Sequence, residues 1–73
     1  MVNRKGTAEK LRVLIEHWIS HNEEHVREYR KWADRIESEG MREAATAIRQ
    51  AADLVIASNT QFLSAYESMK GVN

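Results

Sequence analysis

The sequence predicts an all-α protein in which two long helices fold back on each other as an antiparallel hairpin. Apolar residues recur at alternating steps of four and three along most of the chain, the spacing of a helix that buries one face. Pro is absent, and glycine occurs only at Gly6, Gly40 and Gly71. Since glycine is favoured just beyond helix ends, these positions divide the chain into two helical segments.

We expect the first helix to cover about residues 8–38. Thr7 is a suitable N-cap residue, and Glu9 would lie in the first turn, where a carboxylate is favoured. The apolar stripe of this helix consists of Leu11, Ile15, Trp18, Asn22, His25, Tyr29, Trp32 and Ile36.

The second helix is expected at about residues 42–69, after a turn at 39–41 that contains Gly40. Its stripe consists of Met41, Ala45, Ile48, Ala52, Val55, Asn59, Phe62, Tyr66 and Met69. A short turn makes the two helices antiparallel neighbours, so the numbers of facing residues should sum to about 80. This register predicts that Trp18 lies near Phe62 and that Asn22 lies level with Asn59. Residues 1–73 then form a single helical-hairpin domain.

The size of the chain predicts self-association. Below about 70–80 residues a single core seldom supplies more than about 3–5 kcal/mol. The chain has no cysteine, which excludes disulfides. Both stripes are also wider than one neighbouring helix can cover, because Ile19, Val26 and Ala33 flank the first. We therefore expect a homo-oligomer, in its simplest form a homodimeric four-helix bundle.

Charge and hydropathy argue against two classes of partner. Eleven basic and eleven acidic residues are intermixed, whereas a nucleic-acid-binding protein normally carries a basic face. Apolar runs such as Val13-Leu14-Ile15 are far short of the ~20 residues that a membrane span requires. There is no pattern of a secretory signal, so we expect a cytoplasmic protein that binds neither nucleic acid nor membrane.

The most informative feature is a cluster of the chain's three histidines, His17, His21 and His25. Side chains four residues apart lie one above the other on a helix, so two imidazoles can share one ion. We expect His21 and His25 to be the best chelating pair, with His25 pointing into the seam between the helices. His17 is a further candidate ligand that could complete a set of three or bind from the rim. Glu24 and Glu28 are candidate ligands, or acceptors for an imidazole N–H.

Imidazole ligands suit Zn, Ni, Co, Cu or Fe, and a symmetric partner could supply the ligands that one helix lacks. The cluster therefore predicts a transition-metal-binding protein that stores, senses or delivers the ion, or uses it to lock an oligomer. The alternative is a metal-free oligomerisation or interaction module in which a buried His/Asn layer sets the pairing. Haem ligation and pH switching are further uses of such histidines.

Catalytic patterns are weak in this sequence. Trp18 occupies the place of the glutamate in the zinc-protease pattern His-Glu-x-x-His. A ferritin-like di-iron site would need glutamates on the seam of the second helix, and the sequence places none there. We therefore expect binding rather than catalysis.

The run from His17 to Ala33 resembles a family of short uncharacterised prokaryotic helical proteins. Their common pattern is H-W-x-x-H-N-x-x-H followed by an aromatic residue and a Trp-Ala pair. The matching positions here are His17, Trp18, His21, Asn22, His25, Tyr29, Trp32 and Ala33. The resemblance covers most of the first helix and implies a helical hairpin with a metal-binding role, without an established reaction.

Overall fold

A computed structural model describes residues 3–71 and confirms the antiparallel hairpin. Helix α1 comprises Arg4–Ser38 and helix α2 comprises Arg42–Ser68. The two helices pack side by side into a rod whose principal dimensions are 57 × 17 × 14 Å. Within residues 3–71, neither helix is long and apolar enough to cross a membrane.

Helix α1 begins four residues earlier than Thr7 and Gly6 suggest. Asn3 is the N-cap residue, and its Oδ1 accepts a hydrogen bond from the backbone N–H of Gly6 at 2.9 Å. Asparagine caps a helix at least as well as threonine does, and glycine inside a helix costs only about 1 kcal/mol relative to alanine. The expectation that Thr7 is the cap is therefore wrong.

The turn between the helices forms around Gly40, as expected. Gly40 has a φ of +92°, a conformation that residues with a side chain rarely adopt. Its N–H donates to the carbonyl of Glu37 at 3.0 Å, and the Met41 N–H donates to that of Ile36 at 2.9 Å. These two bonds form a Schellman motif that satisfies carbonyls at the end of α1. The chain reverses direction here without a longer loop.

The seam between the helices is narrow and built from small or branched side chains. The buried residues of the described part of the chain are Ala8, Ile15, Val26 and Ala33 in α1 and Ala45 and Ala52 in α2. Ile15 is the largest side chain that is less than 2 % exposed. Alanines let the helix axes approach closely, but they bury little apolar area. The hairpin alone thus has a small core.

The register across the seam agrees with the expected sum. The Trp18 and Phe62 rings pack with centroids 5.7 Å apart. Near the middle of the rod, Asn22 Nδ2 donates to Asn59 Oδ1 at 2.9 Å. Nearer the chain termini, the Arg12 guanidinium donates to the carbonyl of Met69 at 2.6 Å. These contacts confirm both sequence-derived pairings, Trp18 with Phe62 and Asn22 with Asn59.

One long side of the hairpin carries the ion pairs that join the helices, and we call it the ion-pair face. On α1 it includes Glu23, Arg30, Asp34 and Glu37, and on α2 it includes Arg49, Asp53, Ile56 and Leu63. Arg49 binds Asp34 at 2.8 Å and Glu37 at 2.9 Å. The hydrogen bond from Arg49, reinforced by its positive charge, lowers the pKa of the Glu37 carboxyl. Apolar side chains on this face are therefore interleaved with charges that favour contact with water.

Candidate metal centre

The three histidine rings follow one another along a single exposed ridge of α1. The His17 and His21 centroids are 5.8 Å apart, and those of His21 and His25 are 4.4 Å apart. Tyr29 extends the row, since its ring stacks on that of His25 at 5.8 Å with an interplanar angle of 13°. The row follows directly from the four-residue spacing on a regular helix.

The distance between His21 and His25 suits chelation of one ion. An ion about 2.1 Å from a nitrogen of each imidazole holds the two ring centroids roughly 4.5–5.5 Å apart. The observed 4.4 Å, with the rings edge-to-face at 78°, is close to that range. Chelation requires that one nitrogen of each ring be directed to a common point. His17 lies further along the row, so the pair His21 and His25 is the better chelate.

The expectation that His25 points into the seam of the hairpin is wrong. All three histidines are exposed in the hairpin, whereas Val26, the next residue, is 2 % exposed. The reason is that α1 is rotated by roughly 50°, about half of the 100° step between successive residues, from the expected orientation. The aromatic and histidine positions of the stripe are too bulky for a seam closed by alanines, so each of them is displaced to its edge.

The two glutamates lie on the same helix but do not join the histidines. The Glu28 carboxylate accepts a hydrogen bond from the indole N–H of Trp32 at 3.1 Å, and Glu24 is exposed. Among residues 3–71, no group of three or more His, Asp or Glu side chains is arranged to hold a metal ion. A single hairpin therefore offers two adjacent imidazoles, with His17, Glu24 and Glu28 outside that pair.

The asparagines and histidines of the expected polar layer lie in different places: the asparagines are in the seam and the histidines are outside it. Asn22 and Asn59 are part-buried and hydrogen-bonded to each other. The Asn59 amide also donates to the backbone carbonyl of Ile19 at 3.5 Å. In the described residues, no buried side-chain nitrogen or oxygen lacks a partner. The asparagines thus need no ion, and the histidines beside them are left to the exterior.

The histidines belong to an extended surface that we call the histidine face. It consists of the residues that directly precede the seam residues in each helix, namely Leu14, Trp18, His21, His25 and Trp32 of α1 with Ala44, Ala51, Ser58 and Ala65 of α2. Trp18 is 38 % exposed, Leu14 41 % and Trp32 48 %. Beside them, an open groove is lined by His17, Trp18, His21, Asn22 and Phe62. None of these nine residues is charged, but Glu28 lies in the same row of α1 between His25 and Trp32 and accepts a hydrogen bond from the Trp32 indole. The ion-pair face, by contrast, has charged residues on both helices.

Reasoning from the sequence missed the contrast between these two faces. The signal was present in the seven-residue repeats. Glu23, Arg30 and Glu37 form one line of α1, whereas Trp18, His25 and Trp32 form another. Only the position of the seam shows that the first line borders one side of the hairpin and the second line borders the other.

Comparisons with known proteins identify a family and no individual relative. A family model described as a domain of unknown function (DUF8180) matches residues 11–69. No curated protein and no solved structure matches the chain. The matched range contains the three histidines, the Gly40 turn and all of α2. Because the match covers most of the chain, this protein belongs to the DUF8180 family.

Proposed function

We propose that the protein binds a transition-metal ion through His21 and His25, and that each hairpin contributes this pair to a site completed by ligands from outside the chain. The observation that carries the proposal is the 4.4 Å distance between the two ring centroids on one exposed ridge. Neutral imidazole suits Zn, Ni, Co, Cu or Fe. Storage, sensing, delivery and metal-locked assembly all require such a site.

The two imidazoles of one chain are too few to complete a metal site, so ligands from outside the chain are needed. A structural zinc site has four protein ligands, and a catalytic site has three with an open position. The two imidazoles of one chain satisfy half of the first requirement. His17, Glu24 and Glu28 remain candidates for further contacts, since all three lie within a turn of the pair along α1.

The surroundings of the pair favour a site that becomes enclosed. Trp18 contacts Phe62 on one side of the imidazoles, and Tyr29 stacks on His25 at the other. A partner that covers these rings would exclude water, and a nearly dry site strengthens every interaction between the ion and its ligands. Solvated histidines surrounded by charges would not have this advantage.

A second candidate function is a metal-free oligomerisation module. The observation that favours it is the exposure of Leu14, Trp18 and Trp32 on the histidine face, combined with a seam whose buried residues are mainly alanine. Large apolar side chains that remain exposed on so small a protein indicate an interaction surface. In this case the imidazoles would serve as hydrogen-bonding groups within the interface.

Native mass spectrometry of the purified protein, titrated with zinc or cobalt, tests the first proposal. The wild-type chain should bind about one ion per pair of hairpins, or one per chain if other donors complete the site. Replacing both His21 and His25 with alanine should abolish binding, because it removes both members of the chelate. The visible spectrum of the cobalt form should show nitrogen ligands and should lose those bands in the double variant.

His17→Ala is the matched control, since it removes another exposed imidazole from the same ridge. This variant should retain the metal, with a smaller loss of affinity than either His21→Ala or His25→Ala. If the double variant keeps its metal, the assignment of the ligands is wrong. If the wild-type protein takes up neither zinc nor cobalt yet remains oligomeric in the presence of a chelator, the metal-free module is the function.

A further inference from the structure

The histidine face points away from the hairpin in a definite direction. Leu14 directly precedes the buried Ile15, and His25 directly precedes the buried Val26. One residue corresponds to 100° around a helix with 3.6 residues per turn. The histidine face is therefore turned by about a right angle from the seam. A neighbour that covers it must lie on top of the hairpin, parallel to the plane of the two helices.

The two helices contribute different chemistry to this face. Helix α1 supplies the imidazoles and the large side chains, whereas α2 supplies Ala44, Ala51, Ser58 and Ala65, which carry no imidazole or carboxylate. If a second copy lay with its α2 over α1, the imidazole pair would meet those small side chains. The coordination would then stay incomplete. Further imidazoles reach the pair when the second copy places its own α1 over α1.

Two-fold symmetry then determines the direction of the second helix. Most homodimers are related by a two-fold axis, and their interfaces are self-complementary. When two hairpins pack face to face with α1 over α1, the axis runs across the rod, and the two α1 helices are antiparallel. Each ridge residue then lies opposite the partner's residue that is equally far beyond the centre. The spacing is symmetric about position 23 for the ridge residues Leu14, Trp18, His21, His25, Glu28 and Trp32.

We infer that the partner is a second copy of this chain, with the two α1 helices antiparallel and the two-fold axis level with residue 23. His21 of each protomer then meets the partner's His25, and four imidazoles surround one transition-metal ion. Leu14 packs against the partner's Trp32, and the small residues of the two α2 helices allow these to approach closely. This inference rests on the proposed function, because the demand for two more imidazole ligands selects the arrangement.

Distances between spin labels test this arrangement. The chain has no cysteine, so a single introduced cysteine can be labelled at one position. Glu9→Cys and Ser20→Cys are suitable, since both residues are exposed and lie on the outer side of α1, three turns apart. At a rise of 1.5 Å per residue, two antiparallel helices centred at 23 separate the two Ser20 labels by about 9 Å along the axis. The two Glu9 labels are separated by about 42 Å.

The zinc-loaded dimer should therefore give a short distance for Ser20 and a much longer one for Glu9. Arg27→Cys, also exposed, supplies a second position near the centre, where the axial separation is about 12 Å. Parallel α1 helices would instead give similar distances at all three positions. That result, or a chain that stays monomeric with zinc bound, would overturn the inference.

The same samples separate this inference from the metal-binding proposal. Native mass spectrometry reports zinc content and subunit number together. A dimer with the expected pattern of distances but without zinc would disprove metal binding while supporting the antiparallel pairing. A zinc-loaded dimer with equal distances at Ser20 and Glu9 would support metal binding and disprove the pairing. Circular dichroism of each labelled variant confirms that both helices are retained.

Discussion

Replacing Leu14 with alanine tests whether the histidine face forms the proposed dimer interface. Leu14 is 41 % exposed in the hairpin. Full burial of a leucine side chain contributes about 1.5–3 kcal/mol, so covering the part that is still exposed contributes about 0.6–1.2 kcal/mol. A symmetric dimer contains two copies, which brings the loss to about 1–2.5 kcal/mol. This corresponds to a dissociation constant raised roughly 5- to 70-fold.

Sedimentation equilibrium of the zinc-loaded protein measures this change directly. Leu63→Ala is the matched control, because it truncates a leucine of similar exposure, 51 %, on the ion-pair face. We expect the control to leave the dissociation constant within about twofold, while circular dichroism shows equal helix content in both variants. The reasoning is refuted if Leu63→Ala weakens the dimer as much as Leu14→Ala does.

Two further predictions concern the hairpin itself. Asn59→Leu removes the acceptor of the Asn22 amide and should lower the free energy of unfolding by about 1–3 kcal/mol, whereas replacing both asparagines with leucine should restore most of it. Urea denaturation at one protein concentration tests this, and purely additive losses would contradict it. Arg49→Met should lower the stability at neutral pH more than at acid pH. Because Arg49 holds the pKa of Glu37 below the ordinary 4.5, the stabilisation is present above 4.5 and is lost as the pH falls through the lowered value. Thermal denaturation of wild type and variant between pH 7 and 2 measures the difference, and a constant difference would refute the ion-pair argument.

Much of the fold follows from local rules. The Gly40 turn was predictable because the Schellman motif needs a residue that tolerates a positive φ. The pairing of Trp18 with Phe62 was predictable because a short turn leaves one antiparallel register. The start of α1 was not predictable, since Asn3 and Thr7 are both good N-cap residues and a glycine in the first turn lowers the helix stability only a little.

The candidate site was predictable in part. The spacing of His21 and His25 determines that their rings are neighbours on any helix, and the structure gives 4.4 Å. Their orientation was not predictable, because the apolar stripe is wide enough to allow several rotations of α1 about its axis. The centre of the predicted stripe lies between the seam and the histidine face. A residue at that position points to the core of a four-helix bundle, but not to the seam of a single hairpin.

The amino-acid sequence by itself determined two helices, their turn, their register and a row of imidazoles, because each of these depends on residues close in the chain or on one short loop. The tertiary structure decided which residues fill the seam. Ala33, Ala45 and Ala52 let the helix axes approach, and bulky neighbours such as Trp32 were thereby left outside. This close approach turned His25 outward and separated the histidine face from the ion-pair face. Packing between helices sets such a rotation, and no local pattern contains it.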